Sequence, residues 1–295
     1  MIIIEPWFIP TNILMIICTA LTIGLAMIFL AVIIFDQTCH SVPMMLVGNS
    51  CVAEFMFGSL MLSLASFTLY NDLKQSEQQD SLCIIRGFFS YIAVCQRYYS
   101  YLLQAIYRYI VVVYPTRLFY QSLKFQAFLM CCSWMFSFIC PIPYLVTNEI
   151  QYNVNNQICQ IPLRLSVLAI YNVLMIYTIP VSLIALIYFK LVKYVQEMSK
   201  HVTPANTLVR AQRELKMVRQ LVILIVSITT GGLPYAAFAF ISLFTTPPKY
   251  HFRIALIFVD VSLAFVMITL LHFTEPLKIS LMKNLNRRPI TTAPM

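Results

Sequence analysis

Long apolar runs alternate along this chain with short polar interruptions, and the runs have the length a bilayer demands. Crossing a hydrocarbon core of about 30 Å takes about 20 residues of helix. Seven segments reach that length: about 11–35, 43–70, 81–114, 124–145, 163–195, 208–244 and 250–277. The first carries no charge between Glu5 and Asp36, and the second is interrupted only by Glu54. The third is unusually polar, with Arg86, Arg97 and Arg108 inside it. Connections are short and no internal repeat is visible, so 1–295 reads as one domain. The expected fold is an all-α membrane protein, a bundle of seven transmembrane helices numbered here one to seven. No basic segment precedes the first run, which is expected to act as its own uncleaved insertion signal.

Composition sharpens this. Hydrophobic residues make up 60% of the chain and charged residues 11%, against about a quarter charged in soluble domains, and mean hydropathy is +0.80. A soluble enzyme domain, a disordered chain and a nucleic-acid binder are excluded, despite a net charge of +9. Six glycines are too few for a glycine-packed transporter core. Lys and Arg favour the cytoplasmic ends of spans. Fourteen of the 20 basic residues fall on one side, among them Arg108, Arg117, Lys124, the set from Lys190 to Arg219, and Lys278 to Arg288. That side is expected to be cytoplasmic, with the N-terminus outside and the C-terminus inside. Residues 279–288 mix apolar and basic positions, which suits a short interfacial helix eight.

Two constellations carry chemistry. Cys83 opens helix three and Cys159 lies between helices four and five, both on the expected outer side, where disulfides persist. A bridge would tie that loop over helix three; the alternative is two free thiols. Arg108 lies 25 residues after Cys83, about 37 Å along a helix, so it reaches the opposite edge of the same span. Alone it could be a topological anchor, but it sits within Tyr107-Arg108-Tyr109 and is followed by Pro115.

With those residues in view the chain resembles, over essentially its whole length, the rhodopsin-like (class A) G-protein-coupled receptors. Tyr107-Arg108-Tyr109 is similar to the family's Asp-Arg-Tyr triplet, and Cys83 and Cys159 to its disulfide. Asn49 to Glu54 resembles the helix-two pattern, with Glu for the usual Asp. Trp134, Pro143, Pro180, Tyr188 and Pro234 stand where helices four, five and six of the family carry those residues. Thr274-Glu275-Pro276 stands where it has Asn-Pro. Departures are equally clear: Tyr107 replaces an acid, Gly232 replaces a Trp, and Ile279 replaces a Tyr.

The resemblance implies roles. Glu54, Arg97 and Glu275 map to the mid-membrane pocket where the family binds sodium, and Arg97 lies 14 residues below Cys83, about 21 Å down the helix. Its guanidinium is expected to replace the ion and to fork two carboxylates; the alternative is three separate polar residues. Residues implied in G-protein coupling and switching are Arg108, Tyr107, Tyr109, Tyr188, Glu214, Pro234 and Pro276. Glu214 either restrains Arg108 or neutralises Arg210, Arg213 or Lys216 along its own helix.

A ligand cavity is expected among the outer halves of helices three, five, six and seven, lined by Ser90, Tyr91, Asn172, Tyr235, Phe238, Phe265 and Thr269. Ser90 stands where monoamine receptors carry an Asp, and Thr269 where opsins carry the retinal Lys. Asp260, near the rim, either meets a cationic ligand such as a basic peptide residue or pairs with Arg253, two turns earlier. The expected function is therefore a plasma-membrane receptor coupling an extracellular ligand, on this reading a peptide, to a heterotrimeric G protein. No metal or other cofactor is called for, and beyond the bilayer the partners are that ligand and the G protein, with no nucleic acid. A transporter or channel using the buried charges is the alternative. An intramembrane enzyme finds no support, because His40, His201, His251 and His272 lack metal-ligand spacing and no nucleophile elbow occurs.

Overall fold

The computed structural model describes residues 5–74, 82–163, 166–200, 223, 226–227, 229–242 and 244–274. Helix one is Phe8–Phe35, helix two Val42–Lys74 and helix three Cys83–Val113. Helix four is Leu123–Ile139, continued after a break by Ile142–Val146. Helix five begins as Val167–Asn172 and ends as Ile179–Lys200. Helix six is described over residues 229–241, and helix seven is His251–Phe273. Five of the described helices, one, two, four, five and seven, are long and apolar enough to cross a membrane. Expected positions 208–222 of helix six, Glu214, Glu275, Pro276 and the proposed helix eight lie outside the described residues.

Local chemistry explains the breaks. The first connection is a tight turn, Gln37–Cys39, after Asp36 turns extended (φ −96°, ψ 113°). Ser122 caps helix four by accepting from the Phe125 N–H at 3.3 Å, and Ser166 caps helix five through Ala169 N at 3.1 Å; each satisfies an N–H that has no partner within the helix. Helix five, within the expected span 163–195, is interrupted by a wider turn. Pro180 has no N–H to donate, and its ring crowds the carbonyl four residues earlier. Just before it, Val173–Thr178 widens into a π-helix, a turn with one extra residue, and Thr178 Oγ1 donates to Val173 O at 3.1 Å.

Helix three stands in the middle. Ser90, Gln96, Arg97, Ser100 and Gln104 are all buried along it. Gln104 Nε2 donates to Ser50 Oγ on helix two at 2.6 Å. Ser137 of helix four is hydrogen-bonded to the Gln96 side-chain amide at 3.0 Å. Trp134 Nε1 donates to Asn49 Oδ1 at 2.9 Å, closing the four–two side. Large apolar residues such as Ile17, Phe128, Met135, Phe189 and Phe240 are exposed on the outside of the bundle, where a bilayer would cover them.

A small antiparallel hairpin, absent from the sequence reading, lies between helices four and five. Strand β1 is Gln151–Asn153 and β2 is Ile158–Gln160, with Tyr152 opposite Cys159. The Asn153 side chain accepts from Asn156 N at 3.1 Å, and Gln157 takes the left-handed φ of 55° that the turn needs. The Cys83–Cys159 disulfide anchors β2 to the start of helix three across a separation of 76 residues, a closure worth about 4 kcal/mol of chain entropy.

Docking the hairpin this closely requires a glycine. A Cβ at Gly87 would lie 2.7 Å from the Cys159 carbonyl oxygen and 3.0 Å from Ile150 Cγ2. The carbonyl belongs to a strand held by the disulfide, so it cannot retreat. Gly87→Val is expected to cost about 1–3 kcal/mol by overpacking, visible as a lower melting temperature and lower surface expression. Gly24→Ala is the control: nothing lies within 4 Å of that Cβ, so its melting temperature should be unchanged or raised.

Candidate functional site

Below the hairpin, helices two, three, five, six and seven line a cavity of about 110 Å³. Four of the residues expected to line it do so: Ser90, Tyr91, Asn172 and Tyr235. Phe57, Tyr98, Tyr177 and Gln160 join them, and Arg97 sits at the bottom. Tyr91 ties the lid to the wall. Its hydroxyl donates to Gln160 Oε1 at 2.7 Å and accepts from Ile161 N at 3.0 Å. Among the described residues Asn172 Oδ1 is buried without a hydrogen-bond partner, and Asn172 lines the cavity from helix five.

Helix six enters the cavity through Gly232, where the family resemblance called for a Trp. A Cβ there would lie 2.7 Å from Tyr177 Cε2 and 3.0 Å from the Tyr98 hydroxyl. The space is filled instead by two tyrosines from helices five and three, packed edge to face at 5.6 Å. Tyr177 lies in the π-helical turn and donates to Thr229 O of helix six at 3.2 Å.

Among the described residues, four buried charges form two separate pairs. In the first, Arg97 Nε donates to Glu54 Oε1 at 2.8 Å, with side chains 2% and 0% exposed. Tyr101 donates to the same oxygen at 2.8 Å, and the Phe57 ring lies 5.8 Å from the guanidinium. Arg97 and Glu54 are thus brought together, and Glu275 is the member outside the described residues. Among the described residues Arg97 Nη2 and Glu54 Oε2 have no hydrogen-bond partner, so Glu54 takes one charge-assisted hydrogen bond from the guanidinium, and the second carboxylate of the expected fork, Glu275, lies outside the described residues.

The second pair was missed by sequence reasoning. Asp72, at the hairpin end of helix two, accepts from Arg253 Nη1 at 2.7 Å and Nη2 at 2.9 Å. It also accepts from Asn12 Nδ2 at 2.7 Å and Gln157 Nε2 at 3.1 Å. Four donors from helix seven, helix one and the hairpin turn therefore saturate one carboxylate. The Arg253 guanidinium lies 4.1 Å from the Phe8 ring centroid, and its backbone N donates to Asn156 Oδ1 at 3.2 Å. A signal existed: Asp72 follows Glu54 by 18 residues, five whole turns, so both acids share one helix face.

Other expectations need correction. Arg253 pairs with Asp72, so it is not the partner of Asp260, whose carboxylate lies a further two turns along helix seven. Asp260 does not line the main cavity but a smaller one between helices one, two and seven. Phe265 is 52% exposed and faces out of the bundle, because the turns of helix seven that point inward carry Leu263, Val266, Met267 and Leu270. Thr269 is buried but donates to Phe265 O within its own helix at 2.7 Å, away from the cavity. Phe238 packs against His251 at 6.3 Å and is not among the residues that line the cavity.

At the opposite end of helix three, Arg108 is partly buried. Tyr188 of helix five is buried and close enough to interact electrostatically with it. Tyr109 packs edge to face on Tyr114 at 6.1 Å. Pro234 lies inside the described part of helix six.

Two substitutions separate structural pairing from idle charge. Arg97→Ala leaves Glu54 buried without its counter-charge, a loss of about 3–5 kcal/mol, and is expected to abolish folded receptor at the cell surface. Adding Glu54→Gln removes the stranded charge and should restore part of the yield; a double variant no better than the single one would count against the pairing. Asp72→Ala strands Arg253 in the same way. It should lower the melting temperature far more than Lys74→Ala, an exposed change expected to stay within about 0.5 kcal/mol.

Comparison with known proteins places this geometry. The family model described as 7 transmembrane receptor (rhodopsin family) matches residues 26–271. Among solved structures, the crystal structure of squid rhodopsin is similar in fold, with a TM-score of 0.77 at 15% identity, covering 94% of this chain and 85% of that one. A search of curated proteins finds no match. A receptor rather than an enzyme or a transporter, the chain belongs to the rhodopsin family of seven-transmembrane receptors.

Proposed function

We propose that this multi-pass receptor sits in the plasma membrane with its N-terminus outside, binds an extracellular peptide, and relays that binding to a cytoplasmic heterotrimeric G protein by rearrangement of its helices. The observation that carries the reading is continuity. Helix three reaches from the disulfide-anchored hairpin, past the cavity at Ser90 and Tyr91, to Arg108 at its other end. A ligand under the hairpin thus presses on the same rigid rod that presents Arg108 to the cytoplasm.

The peptide assignment rests on what the cavity offers. Helix three carries Ser90 rather than an acid at the amine-receptor place, and Thr269 stands where retinal would be bound. Aromatic walls with scattered polar groups, Gln160 and Asn172 among them, suit one or two residues of an extended peptide. A transport path through Glu54 and Arg97 is disfavoured, because the two groups neutralise each other in one bond.

A peptide library screened for G-protein recruitment in cells expressing the receptor tests this directly. An active peptide should lose its effect on Arg108→Ala while still binding. Glu214→Ala should raise recruitment without ligand if Glu214 restrains Arg108, and leave it unchanged if Glu214 only neutralises its own helix. Absence of recruitment by any peptide would remove the peptide assignment.

A further inference from the structure

The cavity under the hairpin is small and mostly apolar, and both facts restrict what it can hold. Its volume is about 110 Å³. An engineered cavity of about 150 Å³ lined by leucine, isoleucine and phenylalanine stays dry and binds benzene, so the space here has the scale of one such ring. The walls present carbon: Phe57, Met61, Val94, Ile176, Leu256 and Val259 line them. Tyr91 and Tyr177 line the cavity too, but their hydroxyls are engaged elsewhere, on Gln160 and Ile161 and on the Thr229 carbonyl. Each therefore offers its ring, and ring pairs gain energy beyond the area they bury. Helix six leaves room for a guest, because Gly232 and Ala236, one turn apart, both stand on the lining and neither has a side chain larger than a methyl group.

The floor discriminates by charge. Arg97 is bonded to Glu54 at 2.8 Å, and its charge also acts favourably on Asp260 of helix seven. A carboxylate brought down to Arg97 meets two acids that already share the guanidinium. An ammonium brought to those acids meets the guanidinium itself. Either ion would shed its water, which is costly in an apolar space unless a counter-charge replaces it, and among the described residues each charge on the floor is opposed already. Neutral polar side chains also line the cavity, Ser90, Gln160 and Asn172 among them, enough to meet one hydroxyl or amide.

We propose that the cavity is the site of a single uncharged, benzene-sized ring, packed against Tyr91, Tyr177 and the aliphatic wall above the Arg97–Glu54 pair. Volume excludes a second fused ring, and the compensated floor excludes a charged substituent on the first. The proposal names the ligand group of the receptor reading and rests on it in taking this cavity as the ligand site. The ring can arrive in a free small molecule or as the side chain of a phenylalanine in a peptide.

The test uses the purified full-length receptor in lipid nanodiscs and reads melting temperature against probe concentration. Benzyl alcohol, benzylammonium and benzoate are close in size and differ in charge. 2-Naphthalenemethanol adds a second ring, and acetyl-glycyl-phenylalanine amide, with its alanine counterpart, carries the ring in a peptide. Each response is read as the difference from Ala236→Phe, whose added ring fills the space, so effects of a probe on the lipid cancel. Val94→Phe fills the space from helix three and replaces Ala236→Phe should that variant not fold. Benzyl alcohol or the phenylalanine peptide should stabilise the native receptor and not the filled variant. Benzylammonium, benzoate and naphthalenemethanol should each need a concentration higher by about tenfold or more. A response to the alcohol alone assigns a free small molecule, and a response to the peptide alone assigns a phenylalanine side chain; both support the site. An equal response to either charged isostere or to the two-ring alcohol, an undiminished response in the filled variant, or no response to any probe overturns it. The readout needs no G protein, so a receptor that binds the ring but recruits nothing would sink the signalling proposal and leave this one standing. Recruitment by a peptide that persists undiminished in Ala236→Phe would do the reverse.

Discussion

The row Ser90, Gln96, Arg97, Ser100 and Gln104 gives helix three more hydrogen-bonding groups than hydrocarbon tolerates, and the arrangement of the bundle follows from hiding them. In lipid an unsatisfied polar group costs several kcal/mol, so this helix must be surrounded. Helix two supplies Glu54 and Ser50, and helix four supplies Ser137. Elsewhere the outward residues of the bundle, such as Phe128 and Phe189, are apolar and meet the bilayer. One polar helix therefore selects its neighbours, and its neighbours determine which space is left open.

That space is the cavity. Helix three is anchored at one end by Cys83–Cys159, and Gly87 lets β2 lie directly on it. The lid is then fastened twice more, by Tyr91 to Gln160 and Ile161 and by Gln157 to Asp72. Asp72 is the more informative fastening. It gathers donors from helix one, helix seven and the hairpin turn, so three segments far apart in sequence share one carboxylate. Losing any one donor leaves an acceptor short, which couples the lid to the ends of helices one and seven without direct packing between all of them.

Much of this was legible in the sequence, for reasons that differ by element. The fold class follows from seven apolar runs whose length is set by bilayer thickness. The Arg97–Glu54 contact was approachable because charges in such runs are rare and must find each other. The facing of helix seven was not legible. It is apolar on every side, and a helix without an amphipathic pattern carries no signal for its rotation, so Phe265 could not be told from Met267. The three-residue strands are too short to show alternation. Arg253 was one of the two partners offered for Asp260 because they share one helix, whereas the partner with better geometry was 181 residues away. Asp72 was readable in retrospect by its five-turn spacing from Glu54, a rule that works because helix two is long and unbroken.

Gly232 shows how a departure from a family pattern can be compensated elsewhere. The resemblance calls for a large ring on helix six, and the chain has no side chain there. The volume is nevertheless occupied, by Tyr177 and Tyr98. The ring has in effect moved across the interface to helix five. This changes which element feels a strain. Tyr177 lies in the π-helical turn Val173–Thr178, whose extra residue shifts every later side chain by about 100° relative to a continuous α-helix. Its hydroxyl is bonded to the Thr229 carbonyl. A displacement of helix six must therefore either carry that turn with it or break the bond. The wide turn before Pro180 and the position of helix six are in this way mechanically linked through a single phenol, across a wall of the cavity that both tyrosines line.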